Sequence, residues 1–335
     1  MEQGDVCSEV DDGDQSGTME LLPSLFAGVS ARGRIVVIID AVNQLLSEKD
    51  HNLWWIPSHL PPGVHIVVSS LSTNTLAEAS KRKWQVIEMT PLDEDEKEQL
   101  VEKRLGMYGK RLKKEHVEKL MSHPLSSYPL FLSTVMVELC TIGFFKEFDI
   151  QFEGFVNCQD METLFKRVIE RWEEDFGQSN VSKTLCAVAV SRRGLSEEEM
   201  KGITLMNGVE WSKVMSVVRL MMVINRGLWN FCHMYLKQAV MSKYGLEDGT
   251  RSSEGEARQF IVEYFQKRME ITHQFTLRIA EELPWQLSRL MVVRGPPDTE
   301  RCREALIGLL LNGNNVPVFV YNEVLQYEVV GYPFT

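Results

Sequence analysis

The sequence lacks the features that place a protein in a membrane or outside the cell. No run approaches the ~20 consecutive apolar residues of a membrane span. The N-terminus has no basic stretch followed by an apolar one, which would mark a secretory signal. The six cysteines are scattered, with no C-x-x-C pair of the kind that binds zinc or forms a redox dithiol. We therefore expect a cytoplasmic protein without a membrane partner.

Positive charge is also scarce, because 36 Lys and Arg stand against 47 Asp and Glu and give a net charge of −11. A general binder of nucleic acid needs a positive field to attract phosphates, so we expect other proteins rather than nucleic acid as partners. The 335 residues are 44% hydrophobic and 25% charged, which is ordinary for a globular protein. This length suits two or more domains of roughly 100–200 residues each.

A phosphate-binding loop is absent as well. P-loop proteins hold nucleotide phosphates with a G-x-x-x-x-G-K-[ST] run, whose backbone N–H groups and Lys surround the phosphates while its hydroxyl binds Mg²⁺. No such run occurs in the sequence. We therefore expect no cofactor in this chain by itself.

What the sequence does contain is a run of five β-branched residues, 35–39, followed by Asp40. Such a run is typical of a strand buried on both faces of a parallel sheet. A carboxylate at the carboxyl end of a parallel strand lies where open α/β sheets bind ligands, and its oxygens suit Mg²⁺. The next polar residues, Asn43 and Gln44, are amides and poor general bases. A nucleotide hydrolase, a relic of one, and a plain core strand in which Asp40 caps a helix are all open.

Other segments before residue 92 complete a parallel α/β pattern. "LLPSLFAGVSARG" predicts a short helix that closes at Gly33, after a disordered acidic lead-in with seven acids in residues 1–20. "VHIVVSS" predicts a second strand, and "WQVIEMTPL" predicts a third strand that ends near Met89. Trp54 and Trp55 fit either a core contact or an exposed docking patch.

After Leu92 the patterns are helical. Asp93 is a predicted N-cap, and the acidic run behind it fits a solvated helix start rather than a metal cluster. Beyond a helical bundle, three predicted helices include a capping box at Ser196 and Glu199. A hairpin signal about residues 225–227 follows, and three helices with a hairpin describe a winged helix. Its third helix has too few cations to favour DNA recognition.

This order of parts, over about residues 21–290, resembles the NACHT branch of the signal-transduction ATPases, especially NACHT proteins joined to tetratricopeptide repeats, of the nephrocystin type. The motifs that carry the resemblance are "VVIIDAVNQL", "LPPGVHIVVSS", "YPLFL", "GLSEEE", "FCHMYLKQAV" and "EELPWQL". The order and spacing of these motifs together carry the resemblance.

The resemblance implies roles for individual residues. Asp40 matches the Walker B aspartate that holds the Mg²⁺ of a bound nucleotide, while Asn43 and Gln44 stand where relatives commonly carry further acids. Ser69 and Ser70 are the polar residues of the matching sensor strand, where relatives often place an Arg or another polar residue. The resemblance thus implies Mg²⁺ binding without an acid to activate water.

Two further positions match nucleotide contacts of the family. Pro129 matches the proline that packs near the adenine, although the glycine that often precedes it by two is Ser127 here. His233 matches the winged-helix histidine that contacts the ADP β-phosphate. From the residues alone, Pro129 is also a good first residue of a helix, and His233 is also a core or capping group.

The expected fold class is α/β followed by all-α, with a partial P-loop NTPase-type parallel sheet, a helical bundle, a winged helix and the start of a helical repeat. The expected function is that of a regulatory or scaffold module derived from a NACHT ATPase, deficient in ATP hydrolysis. The alternative is a functioning ATP/ADP-dependent switch, in which a longer form supplies the first strand, the P-loop and Mg-ATP or ADP. Self-association through an unpaired sheet edge is a further expectation.

The expected parts of the chain are a disordered lead-in, a partial NACHT core, the bundle, the winged helix, the repeat start and an atypical, strand-prone tail. Their boundaries are residues 1–20, 21–92, 93–180, 181–245, 256–290 and 291–335.

Overall fold

The computed structural model describes residues 15–30, 33–44, 53–71, 73–142, 145–246, 252–294, 298–312 and 315. It is mostly helical and contains two small sheets of two strands each. The chain divides into two compact units, Met1–Thr90 and Pro91–Thr335. No helix within the described ranges is both long and apolar enough to cross a bilayer.

The described residues of the first unit form two α-helices and one parallel pair of strands. Its elements are α1 (Gln15–Ser30), β1 (Ile35–Ile39), a 3₁₀ turn (Val42–Gln44), β2 (Val64–Val68) and α2 (Thr73–Lys81). β1 and β2 pair in parallel from Ile35 opposite Val64 to Ile39 opposite Val68. The two strands that the β-branched runs predict are therefore confirmed, in parallel order.

Burial of the two strands differs from the prediction. One face packs on a small core of Val42, Leu53 and Ile56, whereas Ile38 is 75% exposed and Val67 is 54% exposed on the other face. The expectation of burial on both faces is wrong because the elements described in this unit cover only one face of the sheet. Sequence composition does not report whether a second covering layer is present.

Two more expectations for this unit are corrected. Residues 84–90 form no strand, and Ile87 and Met89 are exposed, because the described residues offer this segment no neighbouring strand to pair with. Helix α1 begins at Gln15, so residues 15–20 of the predicted disordered lead-in are helical. Met19 and Glu20 are good helix formers, which favours this extension. Residues 1–14 lie outside the described residues.

Polar contacts hold the loop that leads into β2. Arg82 follows α2, and its guanidinium donates to the backbone oxygens of Ile56 at 2.8 Å and Leu53 at 2.9 Å. Trp55 packs against the small core, while the Trp54 side chain is 51% exposed. The first unit thus relies on an arginine bridging to backbone carbonyls as well as on apolar burial.

The part of the second unit that the structure describes is helical apart from one hairpin. The helices predicted as a bundle are α3 (Glu94–Gly106), α4 (Lys114–Met121), α5 (Pro129–Thr141), α6 (Phe145–Val156) and α7 (Met161–Phe176). The next group is α8 (Gln178–Val190), α9 (Glu197–Thr204), α10 (Gly208–Val218), β3 (Met222–Asn225), β4 (Leu228–Phe231) and α11 (Met234–Lys243). The last group is α12 (Ser252–Thr272), α13 (Leu277–Val293) and α14 (Asp298–Leu311).

Local sequence signals explain several of these boundaries. Asp93 and Glu96 form a capping box at the start of α3, and Ser196 and Glu199 form another at the start of α9. Each box satisfies two backbone N–H groups that the first helical turn leaves without partners. Both predicted N-caps are confirmed.

The hairpin between α10 and α11 turns where the sequence predicts. Arg226 and Gly227, the two central turn residues, have φ values of 50° and 81°. Positive φ at both positions is the geometry that matches the twist of two-residue hairpins. The outer edge of β4 is covered by a bridge between Trp229 and Leu195.

One continuous core runs through the second unit and includes a buried ion pair. Trp172, Phe131 and Leu139 are fully buried within it. Arg171 of α7 donates to the Glu138 carboxylate of α5, as does the indole Nε1 of Trp172 at 3.2 Å. Both charged side chains are almost fully buried, so each neutralises the charge of the other away from water.

The last three helices pack in sequence, α12 on α13 and α13 on α14. The predicted paired helices are therefore present. The prediction that residues 291–335 leave the helical pattern is wrong for residues 298–311, because α14 continues it and buries Cys302 and Leu309. Residues 316–335, which contain the strand-prone segment, lie outside the described residues.

Candidate functional site

The carboxyl ends of β1 and β2 form the edge where the sequence predicts ligand chemistry. The backbone N–H of Ser69 donates to Ile39 O at 3.0 Å, and the N–H of Val42 donates to Ser69 O at 3.0 Å. These bonds extend the parallel pairing beyond the last strand residue of each segment. As a result Asp40 and Ser69 lie side by side.

The hydroxyl of Ser69 links the turn to the carboxylate. Its Oγ accepts from the N–H of Ala41 at 2.7 Å and donates to Oδ1 of Asp40. Ala41 has a φ of 55°, a conformation uncommon for a residue with a side chain, which turns the chain sharply away from the strand. Ser69 therefore stabilises this turn and orients one carboxylate oxygen.

The Asp40 side chain is exposed. Within the described ranges, no group of three or more His, Cys, Asp or Glu is placed to hold a metal ion. Mg²⁺ at a nucleotide site needs only one or two carboxylates, but it relies on the nucleotide phosphates for further oxygens. Asp40 supplies one such carboxylate, whereas the sequence has no phosphate-binding run. The residues present therefore fit a complete Mg-nucleotide site poorly.

The amide of Asn43 already has a structural partner. Its Oδ1 accepts from the backbone N–H of Leu71 at 3.1 Å, which fastens the 3₁₀ turn to the segment after β2. Ser70 in that segment donates to the buried hydroxyl of Thr75 at 3.0 Å. Gln44 ends the 3₁₀ turn, and its side chain lies outside the described residues. Asn43 acts here as a connector between the two strand ends.

Pro129 occupies the first turn of α5, directly after Tyr128 as N-cap. The missing N–H of proline costs nothing at this position, because the first helical N–H groups have no partners within the helix. Pro129 is exposed, and the residues behind it, Phe131 and Leu132, enter the core. This placement agrees with the structural alternative, and the adenine contact stays a prediction.

His233 is the N-cap residue of α11, but its side chain makes no capping hydrogen bond. Partial burial lowers the pKa of His233 below its usual range, so the imidazole is neutral at pH 7. A neutral imidazole can still donate one hydrogen bond to a phosphate oxygen. The capping alternative is not what the structure shows, and the phosphate contact stays a prediction.

The predicted site residues fall in different parts of the molecule. Asp40, Asn43 and Ser69 meet at one edge of the first unit, whereas Pro129 and His233 begin two different helices of the second unit.

Sequence reasoning missed a buried polar network in the second unit. Arg278 of α13 donates to Glu199 of α9 and to Glu282, each at 2.9 Å. Burial disfavours the charged form, but the carboxylates of Glu282 and Glu199 raise the pKa of Arg278 overall. Glu199 was visible only as a capping residue, because a partner 79 positions later leaves no local signal.

A second layer of this network reaches the end of α8. Gln286 donates to Val190 O at 2.9 Å, and Arg258 of α12 donates to the same carbonyl at 3.1 Å. Arg258 also donates to Oε1 of Gln286 at 2.9 Å. The network therefore fastens α12 and α13 to α8 and α9.

No protein-family model matches the chain, but it has homologues among known proteins. Nephrocystin-3 of Homo sapiens is 25% identical over 328 residues, which cover 94% of this chain and 24% of that protein. Tetratricopeptide repeat protein 41 of Rattus norvegicus is 23% identical over 316 residues, 80% of this chain and 24% of the relative. NACHT and WD repeat domain-containing protein 2 of Homo sapiens is 26% identical over 203 residues, 58% of this chain and 11% of the relative.

The chain spans about a quarter or less of the length of these relatives. Their names place it near proteins with NACHT domains and with tetratricopeptide repeats. The resemblance inferred from the motifs is therefore supported at the level of a NACHT- and repeat-containing group of proteins.

Proposed function

We propose that this chain is a cytoplasmic regulatory or scaffold module, derived from a NACHT ATPase, that acts through contacts with other proteins and is deficient in ATP hydrolysis. Within it, α8–α10 and the β3–β4 hairpin act as a winged helix, and α12–α14 begin a helical repeat. The observation that carries the proposal is the edge at Asp40, where one exposed carboxylate is followed in the described turn by the amides Asn43 and Gln44 instead of a second acid.

Several facts support the loss of hydrolysis. Oδ1 of Asp40 accepts a hydrogen bond from Ser69, and the Asn43 amide that follows it is engaged by the N–H of Leu71. Amides are poor general bases in any case. The homologues named for repeats support a role in protein contacts, since stacked helical repeats offer extended binding surfaces. All cysteines in the described ranges are free thiols, which suits a reducing compartment.

Isothermal calorimetry with Mg-ATP tests the proposal. We expect no saturable binding, or binding weaker than millimolar, because the sequence has no phosphate-binding run. Asp40→Ala should leave the titration unchanged, and Asp149→Ala, at an exposed carboxylate in the second unit, is the matched control. Micromolar affinity that disappears with Asp40→Ala and survives Asp149→Ala would overturn it.

The second candidate is a nucleotide switch, and the open oxygen of Asp40 together with the neutral His233 favours it. On this alternative, a P-loop segment joined upstream restores ADP and ATP binding, and nucleotide exchange changes the contact at His233. We expect slow turnover in such an extended chain, because Asn43 and Gln44 take no proton from water.

Steady-state hydrolysis by the extended chain separates the two candidates. Asn43→Asp combined with Gln44→Glu should raise turnover by up to ~10²–10⁴-fold, the usual value of general-base help. Asp at position 43 can still accept the Leu71 N–H, so the turn should persist. If the extended parent already turns over as fast as this variant, the amides do not limit the reaction and the proposed deficiency is wrong.

The exposed face of the β1–β2 sheet supports self-association as one form of protein contact. Val36 and Ile38 are exposed there, and an apolar strand face in water favours contact with another chain. Sedimentation velocity should show a dimer that Ile38→Lys dissociates, whereas a monomer at all concentrations would remove this part of the proposal.

A further inference from the structure

The outer edge of β3 is open for strand pairing. Residues opposite each other in an antiparallel pair alternate between bonded and non-bonded positions. Trp229 of β4 exchanges both backbone bonds with Leu195, at 2.8 and 3.1 Å, so its backbone groups face away from β3. Ile224 is the residue opposite Trp229, and its N–H and C=O therefore face away from β4. Among the described residues, no strand continues the sheet on that side.

The side chains along this edge are accessible. Val223 is 49% exposed and Ile224 is 54% exposed, and Leu220 just before the strand is 43% exposed. The N–H of Cys232 donates to Met221 O at 3.1 Å, which closes the base of the hairpin. Within the described part of the chain, the edge therefore combines backbone groups that face away from β4 with exposed apolar side chains.

The stretch of sequence that contains this edge is opposite in charge to the whole chain. Residues 211–246 contain no Asp or Glu, although the chain carries a net charge of −11. Four of the cations in that stretch are exposed and form no ion pair with any described acid. They are Lys213, Arg219, Arg226 and Lys237. The fifth, Lys243, pairs with Glu173 at 3.1 Å and is thereby neutralised.

We propose that the β3 edge binds an extended acidic segment of another protein, which adds to the hairpin as a third strand. The partner's backbone bonds to the N–H and C=O of Ile224, while its acidic side chains meet Arg219, Arg226 and the neighbouring cations. Strand addition of this kind takes affinity from main-chain bonds and specificity from side chains. The proposal deepens the proposed function, on which it rests, by assigning one surface and one chemistry to its protein contacts.

A peptide fits this surface better than a nucleic acid does. Nucleic acid needs cations aligned along a phosphate track, and α10 carries only Lys213 as an exposed cation along its length. Binding of phosphate groups does not require a backbone N–H and C=O pair with the spacing of a β-ladder. It does not require an exposed apolar side chain such as that of Ile224 either. The combination of edge, apolar side chains and scattered cations is that of a strand acceptor.

The test measures fluorescence anisotropy of a short synthetic peptide that alternates Glu with Val, titrated with the full chain in the absence of nucleotide. We expect saturable binding that weakens with added salt. A peptide with Lys in place of Glu, and one with a central Pro that removes an N–H, should bind at least about tenfold more weakly. The absence of saturable binding by the Glu–Val peptide overturns the proposal.

Variants locate the binding on the protein. Arg219→Glu combined with Arg226→Glu should weaken binding of the Glu–Val peptide by about tenfold or more. Lys114→Glu, at an exposed lysine on α4, should change peptide binding less than twofold. Ile224→Pro removes an N–H that faces away from β4, so the hairpin loses no backbone bond. It should also weaken peptide binding by about tenfold or more. Equal effects of the hairpin and Lys114 variants would overturn the assignment.

Two further arms separate the partner classes. A DNA duplex, or phosphatidylcholine vesicles containing phosphatidylserine, should bind more weakly than the peptide and should be indifferent to Ile224→Pro. If the duplex or the vesicles bound more tightly than the peptide, and did so through Arg219 and Arg226, that ligand would be the better candidate and the proposal would be overturned. Because no nucleotide is present, failure here leaves the calorimetric test of the proposed function unaffected.

Discussion

Different interactions stabilise the interior of each of the two units. The first has a small core of Val42, Leu53 and Ile56, a sheet with one open face, and an arginine that fastens a loop by its carbonyls. The second has one continuous apolar core with a buried ion pair and a buried network of arginines, glutamates and a glutamine.

The difference indicates which unit carries stability and which can change. A large core with satisfied buried charges specifies one packing and tolerates few substitutions. A small core under an open sheet has little apolar area to lose before it unfolds. We therefore expect the first unit to open at lower denaturant than the second, and the following changes test that comparison from the largest expected effect to the smallest.

Arg171→Ala should produce the largest loss, because it leaves the Glu138 carboxylate buried without its ion partner. Removing one member of a buried pair costs about 3–5 kcal/mol. Urea denaturation followed by tryptophan fluorescence measures the free energy of unfolding of the second unit. Arg303→Ala, at an exposed residue of α14, is the control, and a loss as small as the control's would show that Glu138 has other support.

The same variant should gain stability in acid. Burial raises the pKa of Glu138 above its ordinary value of 4.5, and Arg171 opposes that rise. Without Arg171 the folded state binds a proton more tightly than the unfolded state, so stability falls as pH rises through the interval between 4.5 and the raised folded pKa. The urea midpoint of Arg171→Ala should be higher at pH 5 than at pH 7, and the parent should change less.

Leu53→Ala should unfold the first unit selectively. Leu53 is fully buried in a core too small to compensate, and such truncations cost about 2–5 kcal/mol. Hydrogen exchange should show lost protection across residues 33–44 and 53–71, with protection beyond residue 91 retained. Leu25→Ala, at a leucine that is 58% exposed, should change nothing. Equal loss in both units would contradict their independence.

Gly202→Ala should destabilise the second unit by about 1–3 kcal/mol through overpacking. A Cβ at this helical position would lie 2.2 Å from the Tyr264 ring, so either the ring would have to turn or α9 and α12 would have to separate. Thermal melting measures the effect. Gly208→Ala, where a Cβ meets nothing within 4 Å, is the control and should be neutral or stabilising. Recovery in the double variant with Tyr264→Leu would confirm the cause.

Ser69→Ala should have the smallest effect, about 0.5–1.5 kcal/mol on the first unit. The change removes the acceptor of the Ala41 N–H and the donor to Asp40, at an exposed position where water partly replaces both. Urea midpoints from exchange in residues 33–44 measure it against Ser58→Ala, at an exposed loop serine. A loss above that of Leu53→Ala would reverse our ranking of polar and apolar contributions in this unit.

Much of the fold follows from local signals. The sequence signals for the strands at residues 35–39 and 64–68, the caps at Asp93 and Ser196, and the turn at residues 225–227 each lie within a few positions. The false strand at residues 84–90 has the same apolar, β-prone composition, but a strand exists only when another chain segment accepts its bonds. Composition alone does not reveal that partner.

The candidate site likewise combines features that are visible in the sequence with contacts that only the folded chain shows. Asp40 at a strand end and the absent phosphate loop were readable from the sequence. The engagement of Asn43 by Leu71 and the link between Ser69 and Asp40 join residues 28 and 29 positions apart, so only the folded chain reveals them. The open β3 edge did have a sequence signal, the absence of acids from residues 211–246, but whole-chain charge concealed it.

The contact between Gly202 and Tyr264 has a consequence for how this protein can diverge. Since the ring fills the space a side chain would need at position 202, the two positions cannot drift separately. A side chain at position 202 requires the ring at 264 to move or to be replaced by a smaller side chain. The spacing of α9 and α12 therefore depends on the residues at positions 202 and 264 together.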